Sequence, residues 1–419
     1  MAMTILKRNH TNVSARLVGG LALLTAPWAW GMDTPERVEV NGQNLIPFFQ
    51  LTNSEQFTFH PFASLGGGYD GNVYLTPEAN RISDSYARGI IGAQLTWSPT
   101  EIDKLNLKGA YDRTKYQDED NFAGVRGGNL RLGYSHEGEI WAGFLNAGWS
   151  RTNDPLRDTL ERSLLDAWSG EGRLDYRTLS ARTSLGTTFA RDNYLQDTSS
   201  FTATSRDNDR LGAYVRWARE FSDTDSFFVR AGPNKTIYNE NTQYVDSVGG
   251  FGVVGLDRSL GSVTSLSAEG GATYKRYDDD LPTNSSLTKR SFWGPQANLS
   301  LAYDYEEQSW LRLTAYSSLQ DSASAAYAAY SYGAKFDLRR RLLNNAGVIA
   351  SAELTSTYDT DAGNRARERI IDRIFEGGLE YTLREGLGLR ALGGYEYSTA
   401  EVANGFQRWT ASGAVNAVF

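Results

Sequence analysis

Cysteine is absent from this chain, which excludes a disulfide framework, a thiolate nucleophile and any cysteine-ligated metal site. Histidine is nearly absent: beyond the leading segment only His60 and His136 remain, neither beside an obvious nucleophile, so each reads as structural and no catalytic residue is expected. The chain also lacks a phosphate-cradling glycine loop, a metal-ligand spacing and a haem motif, so no cofactor is expected. After residue 31 no apolar run reaches the 18 or more residues of a membrane helix, and mean hydropathy is −0.46. The balance of charge is acidic, −8 overall, which argues against nucleic acid as a partner.

What is abundant is glycine (42) and aromatic side chain (23 Tyr, 18 Phe, 10 Trp), the composition of a strand-rich protein held by its backbone ladder. Residues 1–31 read as a cleaved secretory signal: Lys7, Arg8 and Arg16, an apolar run from Leu17 to Ala29, and a small-residue pattern ending at Gly31. Its loss moves the formal charge from −8 to −11. Residues 32–56 are expected to be a short periplasmic segment, too few for a plug domain.

From residue 57 to 419 the chain alternates with period 2 in about 18 segments separated by polar turns, the pattern of a transmembrane antiparallel β-barrel. The predicted strands are 57–72, 85–97, 103–117, 126–136, 140–152, 166–177, 179–192, 208–221, 225–238, 246–259, 263–277, 290–304, 308–319, 328–338, 347–356, 372–383, 387–397 and 408–419. Faces are legible in several of them. Leu211, Ala213, Val215 and Trp217 alternate with Arg210, Gly212, Tyr214 and Arg216; Ala297, Leu299, Leu301 and Tyr303 alternate with Asn298, Ser300, Ala302 and Asp304. The apolar set faces lipid and the other the lumen. Connections after even-numbered strands are tight and those after odd-numbered ones long, which places both termini in the periplasm. The last strand alternates to a membrane-facing Phe419, similar to the C-terminal assembly signal of bacterial outer-membrane proteins, and this implies the outer-membrane assembly machinery as a partner.

A barrel of about 18 strands is too wide for side chains to fill, so constriction is expected from lumen side chains and loops. Lumen-facing cations are Lys108, Arg131, Arg173, Arg182, Arg210, Arg216, Arg230 and Arg390, with Asp112, Glu171, Asp175, Glu353 and Glu380 of opposite sign. They either solvate the wall and pair with one another, or line a path; Arg210, Arg216 and Arg230 are expected to form a basic strip, and Tyr214 is a candidate for stacking on a sugar. Trp97, Trp141, Trp149, Trp217, Tyr176 and Tyr303 are expected in interfacial girdles. Two acidic runs, Asp118-Glu119-Asp120 and Asp278-Asp279-Asp280, read as solvated external loops; the alternative is a divalent-cation site bridging lipopolysaccharide.

Gly68-Tyr69-Asp70-Gly71-Asn72-Val73-Tyr74, following Phe62-Ala63-Ser64-Leu65-Gly66-Gly67, resembles the opening strand of the outer-membrane β-barrel porins that accompany bacterial exopolysaccharide and capsule biosynthesis. The resemblance implies a Gram-negative outer-membrane location and a role in polysaccharide export, with polysaccharide as cargo and a periplasmic polysaccharide-export protein as partner. It places Tyr69, Asp70 and Asn72 at the external end of the first strand, where turn formation is the simpler role. The competing expectation is a general or substrate-specific diffusion porin.

Overall fold

The structure, a computed structural model, describes residues 38–47, 56–76, 78–118, 125–152, 155–156, 161–162, 164–195, 206–222, 224–239, 245–278, 290–306, 309–321, 328–359, 369–400 and 405–419. The expected signal segment and the residues Glu119, Asp120, Asp279 and Asp280 of the acidic runs lie outside them.

In chain order the strands are β1 (Val38–Val40), β2 (Gln43–Leu45), β3 (Phe57–Asp70), β4 (Asp84–Trp97), β5 (Asp103–Tyr116), β6 (Val125–Glu137), β7 (Trp141–Thr152), β8 (Pro155–Leu156), β9 (Glu161–Arg162), β10 (Leu165–Arg177) and β11 (Ala181–Tyr194). There follow β12 (Asn208–Glu220), β13 (Asp225–Tyr238), β14 (Ser247–Ser259), β15 (Thr264–Tyr277), β16 (Ser291–Glu306), β17 (Ser309–Asp321), β18 (Ala328–Leu343), β19 (Ala346–Asp359), β20 (Arg369–Arg384), β21 (Leu387–Ala400) and β22 (Phe406–Val418). Strands β3–β7 and β10–β22 make one closed antiparallel barrel of 18 strands, β22 pairing with β3 at the seam. Closure leaves no free edge, so every strand finds its backbone partners on both sides, which is what a bilayer demands. The strands match the predicted ones with small shifts of boundary, the largest where β18 runs on to Leu343.

Cross-strand register carries the two faces round the whole wall. Leu65, Ile91, Leu145, Leu185, Val215, Val254, Leu299, Leu354, Leu379 and Val415 stand on the outside and remain exposed, Leu65 at 71% and Ile91 at 64%. An apolar belt of this extent is a surface built for lipid. Aromatic pairs flank it near the strand ends: Trp141 with Tyr176 at 4.9 Å on one side, and Tyr274 with Trp293 at 4.9 Å and Tyr395 with Trp409 at 4.2 Å on the other. The first of these pairs lies at the rim of short turns, such as residues 178–180, 344–345 and 385–386; the other rim carries the long connections. Both ends of the barrel chain, Phe57 and Val418, lie at the short-turn rim.

Part of the expected periplasmic lead, residues 32–56, is found inside the barrel. Residues 38–45 form a hairpin, β1 on β2, standing inside the barrel at its short-turn mouth. Asn41 (φ 47°) and Gly42 (φ 78°) both lie in the left-handed region, the geometry of a type I′ turn, for which Asn-Gly is the favoured pair. Val38, Val40 and Leu45 pack at full burial against the inward-facing Phe62 and Val418. The polar edge is tied as well: Asn416 Nδ2 donates to Gln43 Oε1 at 2.9 Å and the Gly386 amide to the Ile46 carbonyl at 2.6 Å. A segment too short for a domain still orders against the inside of the wall, because a hairpin in a barrel borrows the wall as its second layer.

Candidate functional site

All nine candidate path residues, Lys108, Arg131, Arg173, Arg182, Arg210, Tyr214, Arg216, Arg230 and Arg390, fall on the inner face. Their registers place them opposite one another or opposite inward neighbours, as in Lys108 with Arg131, Arg182 with Arg177, and Arg216 with Arg230. What surrounds them differs from the expectation of a free basic strip.

Arg216 on β12 reaches past β13 to Asp257 on β14, Nη2 to Oδ2 at 2.8 Å, and the same carboxylate accepts from Ser267 Oγ at 2.6 Å. Arg230 on β13 reaches past β14 to Glu269 on β15, donating through Nη2 to both carboxylate oxygens at 2.8 and 2.9 Å. Arg210 lies toward the long-loop end, where Asp192 (2.7 Å) and Asn208 (3.0 Å) accept from it. Each arginine of the strip therefore has a carboxylate of its own. A long side chain on a tilted strand reaches two strands away, so its counter-ion is invisible to any reading confined to one hairpin.

The guanidiniums also lie over aromatic rings. Arg216 lies over Phe228 (4.2 Å to the ring centre), Arg173 over Phe144 (4.8 Å) and Arg230 over Phe251 (5.4 Å), so cation–π contact supports the ion pairs. With Arg173 on Asp175 at 3.1 Å, the arc β10–β15 presents an ordered lattice of arginine and carboxylate. Such a lattice carries strong local fields of both signs with little net charge.

Tyr214 is unavailable for stacking on a sugar. It is 3% exposed, its ring laid on Gly186 of the neighbouring strand, where any added side chain would run into it. Arg230 covers it from the lumen at 5.8 Å. The ring covers bare backbone at a glycine, and that packing is its function in the wall.

The opposite wall repeats the pairing. Arg339 donates to Glu380 Oε2 at 2.6 Å, and Glu380 Oε1 lies 3.5 Å from Arg390 Nε. Arg390 Nη1 donates to the carbonyl of Asn41 in the hairpin, and Lys108 Nζ to that of Glu39 at 2.7 Å. Asp257, Glu269 and Arg339, which the sequence reading passed over, sit at inward positions that strict alternation along β14, β15 and β18 would have marked.

The motif residues do separate work. Asp70 is fully buried and accepts two bonds from Arg408 on the last strand, while Tyr69 faces outward at 43% exposure. Asn72, also fully buried, donates from Nδ2 to the carbonyls of Thr76 (2.7 Å) and Gln407 (3.0 Å), and accepts from the Thr76 amide at 3.0 Å. Asp70 and Asn72 thus lace the first connection to the closing strand, a turn-forming and seam-closing role. His136 bonds Asp103 at 2.9 Å near the short-turn rim, where Tyr134 Oη donates to the same carboxylate oxygen at 2.7 Å.

Residues 55–410 match the protein family described as "Putative beta-barrel porin 2". The chain belongs to that family. This family member is an outer-membrane β-barrel of the porin kind. Among solved structures the porin-family barrel is similar to OpdK from Pseudomonas aeruginosa, with TM-score 0.47, 12% identity, and coverage of 86% of this chain and 99% of that one. It is similar also to OccAB4 from Acinetobacter baumannii (TM-score 0.43, 10% identity, 88% and 100% covered) and to the copper transporter OprC (TM-score 0.46, 13% identity, 87% and 81% covered). Identity this low ties the porin-family barrel to none of their cargoes. No curated protein sequence matches it.

Proposed function

We propose that this chain is a diffusion porin of the Gram-negative outer membrane that passes small, charged, hydrophilic solutes along the arginine and carboxylate wall of β10–β15. Its short turns face the periplasm and its long loops the exterior. The observation that carries this reading is the lattice itself: Arg216 on Asp257 and Arg230 on Glu269, ordered on aromatic rings and lining the inside of a closed barrel. A path for an acidic glycan calls for free cations, whereas Arg210, Arg216 and Arg230 each hold a carboxylate of the wall, and the hairpin stands at the mouth through which a polymer would pass.

Polysaccharide export, with a periplasmic export protein as partner, is the reading that the first-strand motif implies. Asp70 and Asn72 of that motif are occupied in closing the barrel, so the motif no longer speaks for a cargo. Two measurements separate the readings. Liposomes carrying the mature protein are expected to swell in small charged solutes such as glutamate or arginine and to remain closed to oligosaccharides. A clean deletion of the gene is expected to leave surface polysaccharide unchanged; loss of that polysaccharide, with no swelling in small solutes, would return the chain to export.

A further inference from the structure

On the outer face of the barrel, near the long-loop rim, arginine is set against carboxylate. Arg151 on β7 donates to Asp166, its register partner on β10, at 2.6 and 2.5 Å, and Arg191 on β11 to Asp209 on β12 at 2.5 and 2.7 Å. β5 and β6 depart from this. Arg113 stands directly opposite Arg126, and Lys115 follows Arg113 on the same outward face. All three are exposed, and none has a carboxylate partner among the described residues. Directly opposed side chains start roughly 5 Å apart, so two like charges there repel and destabilise the sheet unless an anion lies between them.

The surroundings fix the depth of this cluster. Tyr111, two residues before Arg113 and 45% exposed, and the tilted ring pair of Trp149 and Trp168 at 6.2 Å lie on its midplane side, and beyond them come Ile91 and Leu130 of the lipid belt. Cations just outside an aromatic girdle stand at the level of lipid headgroups. Beside them the wall is bare: Gly89, the register partner of Arg113 on β4, has open space where a side chain would begin. A bulky headgroup can lie there against the backbone and reach both guanidiniums. An anion shared by two facing guanidiniums needs several acceptor oxygens and more than a single charge, which is the description of a phosphate.

We propose that Arg113, Arg126 and Lys115 form a binding site for a phosphate group of lipopolysaccharide, held between the two facing arginines on the outside of the barrel. The proposal rests on the orientation given above, with the long loops at the exterior, and adds a lipid ligand to it. The phosphate removes the repulsion between Arg113 and Arg126, so the lipid stabilises the wall where the sheet alone does not.

The test uses the full mature barrel in detergent, with bisphosphorylated lipid A, the same lipid stripped of its phosphates, and inorganic phosphate as probes. The parent is expected to retain bisphosphorylated lipid A in native mass spectrometry and, with that lipid present, to keep its folded band to a higher temperature on semi-native gels. Arg113→Gln with Arg126→Gln is expected to bind the lipid several-fold more weakly and to gain no such shift, whereas Arg258→Gln, at the opposite rim, behaves as the parent. Without lipid the double variant is expected to be at least as stable as the parent, because a repulsion has gone. A loss of stability there would assign the two arginines to a carboxylate of the protein and overturn the site. Equal retention of lipid A by parent and double variant, or equal retention of the phosphate-free lipid, would also overturn it. A shift with inorganic phosphate as large as that with lipid A would overturn the lipid assignment in favour of a free anion. Orientation is read separately: Gln117→Cys, exposed after β5 in a chain with no other cysteine, is expected to react with a membrane-impermeant maleimide on intact cells. Reaction only after lysis would overturn the orientation and the lipopolysaccharide assignment with it, while the swelling assay above tests the porin reading independently of these residues.

Discussion

Asp70 and Arg408 lie 338 residues apart in the chain and meet as a two-pronged ion pair, Nε to Oδ1 and Nη2 to Oδ2, each at 2.8 Å. They belong to β3 and β22, the strands whose pairing closes the barrel. Tyr116 Oη (3.4 Å) and the Asn72 amide (3.1 Å) also donate to the carboxylate, and Arg408 Nη1 lies 3.5 Å from Glu396. The pair thus fastens the seam at its long-loop end, where the strand order of a barrel has to join its first member to its last.

Breaking that pair is expected to be costly, because a buried charge that loses its partner keeps its desolvation penalty, about 3 to 5 kcal/mol. Arg408→Met is predicted to lower the temperature at which the folded band is lost on semi-native gels. The double variant Asp70→Asn with Arg408→Met is predicted to recover part of the loss, since it leaves no orphaned charge. A double variant no more stable than Arg408→Met alone would refute the pairing.

Face assignment predicts an asymmetry between neighbours. Val215→Arg and Leu299→Arg put a charge into the lipid belt and are expected to cost about 2 to 4 kcal/mol in folding into bilayers. Asn298→Lys, one residue away on the inner face, is expected to cost far less. Tyr214 does not share that tolerance, because its ring is packed on Gly186 and not offered to water.

Gly186 and Tyr214 make a third test. Gly186→Ala forces the ring off its seat, with an expected loss of about 1 to 3 kcal/mol from overpacking. Adding Tyr214→Ala removes the clash, so Gly186→Ala is predicted to cost less in the Tyr214→Ala background than in the parent. Equal costs in both backgrounds, measured by urea titration in detergent or lipid, would show that ring and glycine do not touch.

The arginine and carboxylate lattice predicts opposite shifts of ion selectivity. Arg216→Gln with Arg230→Gln leaves Asp257 and Glu269 uncompensated and is expected to move the reversal potential in a salt gradient toward cation preference. Asp257→Asn with Glu269→Gln is expected to move it toward anions. Both shifts should shrink as salt shortens the Debye length below about 10 Å. Shifts of the same sign in the two variants would mean that these groups do not face the conducting path.

Much of this architecture could be read along the chain. A barrel strand declares itself locally, since period-2 alternation, polar turns and a run of residues long enough for the bilayer all lie within one segment. The 18 strands, the lipid-facing Val215 and Leu299, and the inward faces of Lys108 and Arg216 were legible for that reason. So, in principle, was the hairpin: Val38-Glu39-Val40-Asn41-Gly42-Gln43-Asn44-Leu45 carries an Asn-Gly turn between alternating apolar residues, a strong short-range hairpin signal that an argument from segment length alone passes over.

The sequence by itself determined which residues line the lumen, because each strand's alternation is a local property and a one-residue slip would turn its apolar set inward. The tertiary structure alone decided what those residues do there. Arg216 finds Asp257 and Arg230 finds Glu269 across an intervening strand, Asp70 finds Arg408 only because the sheet closes, and Val38, Val40 and Leu45 find an apolar partner only inside the finished barrel. Those meetings are set by the curvature and register of a closed sheet, and no single segment carries either.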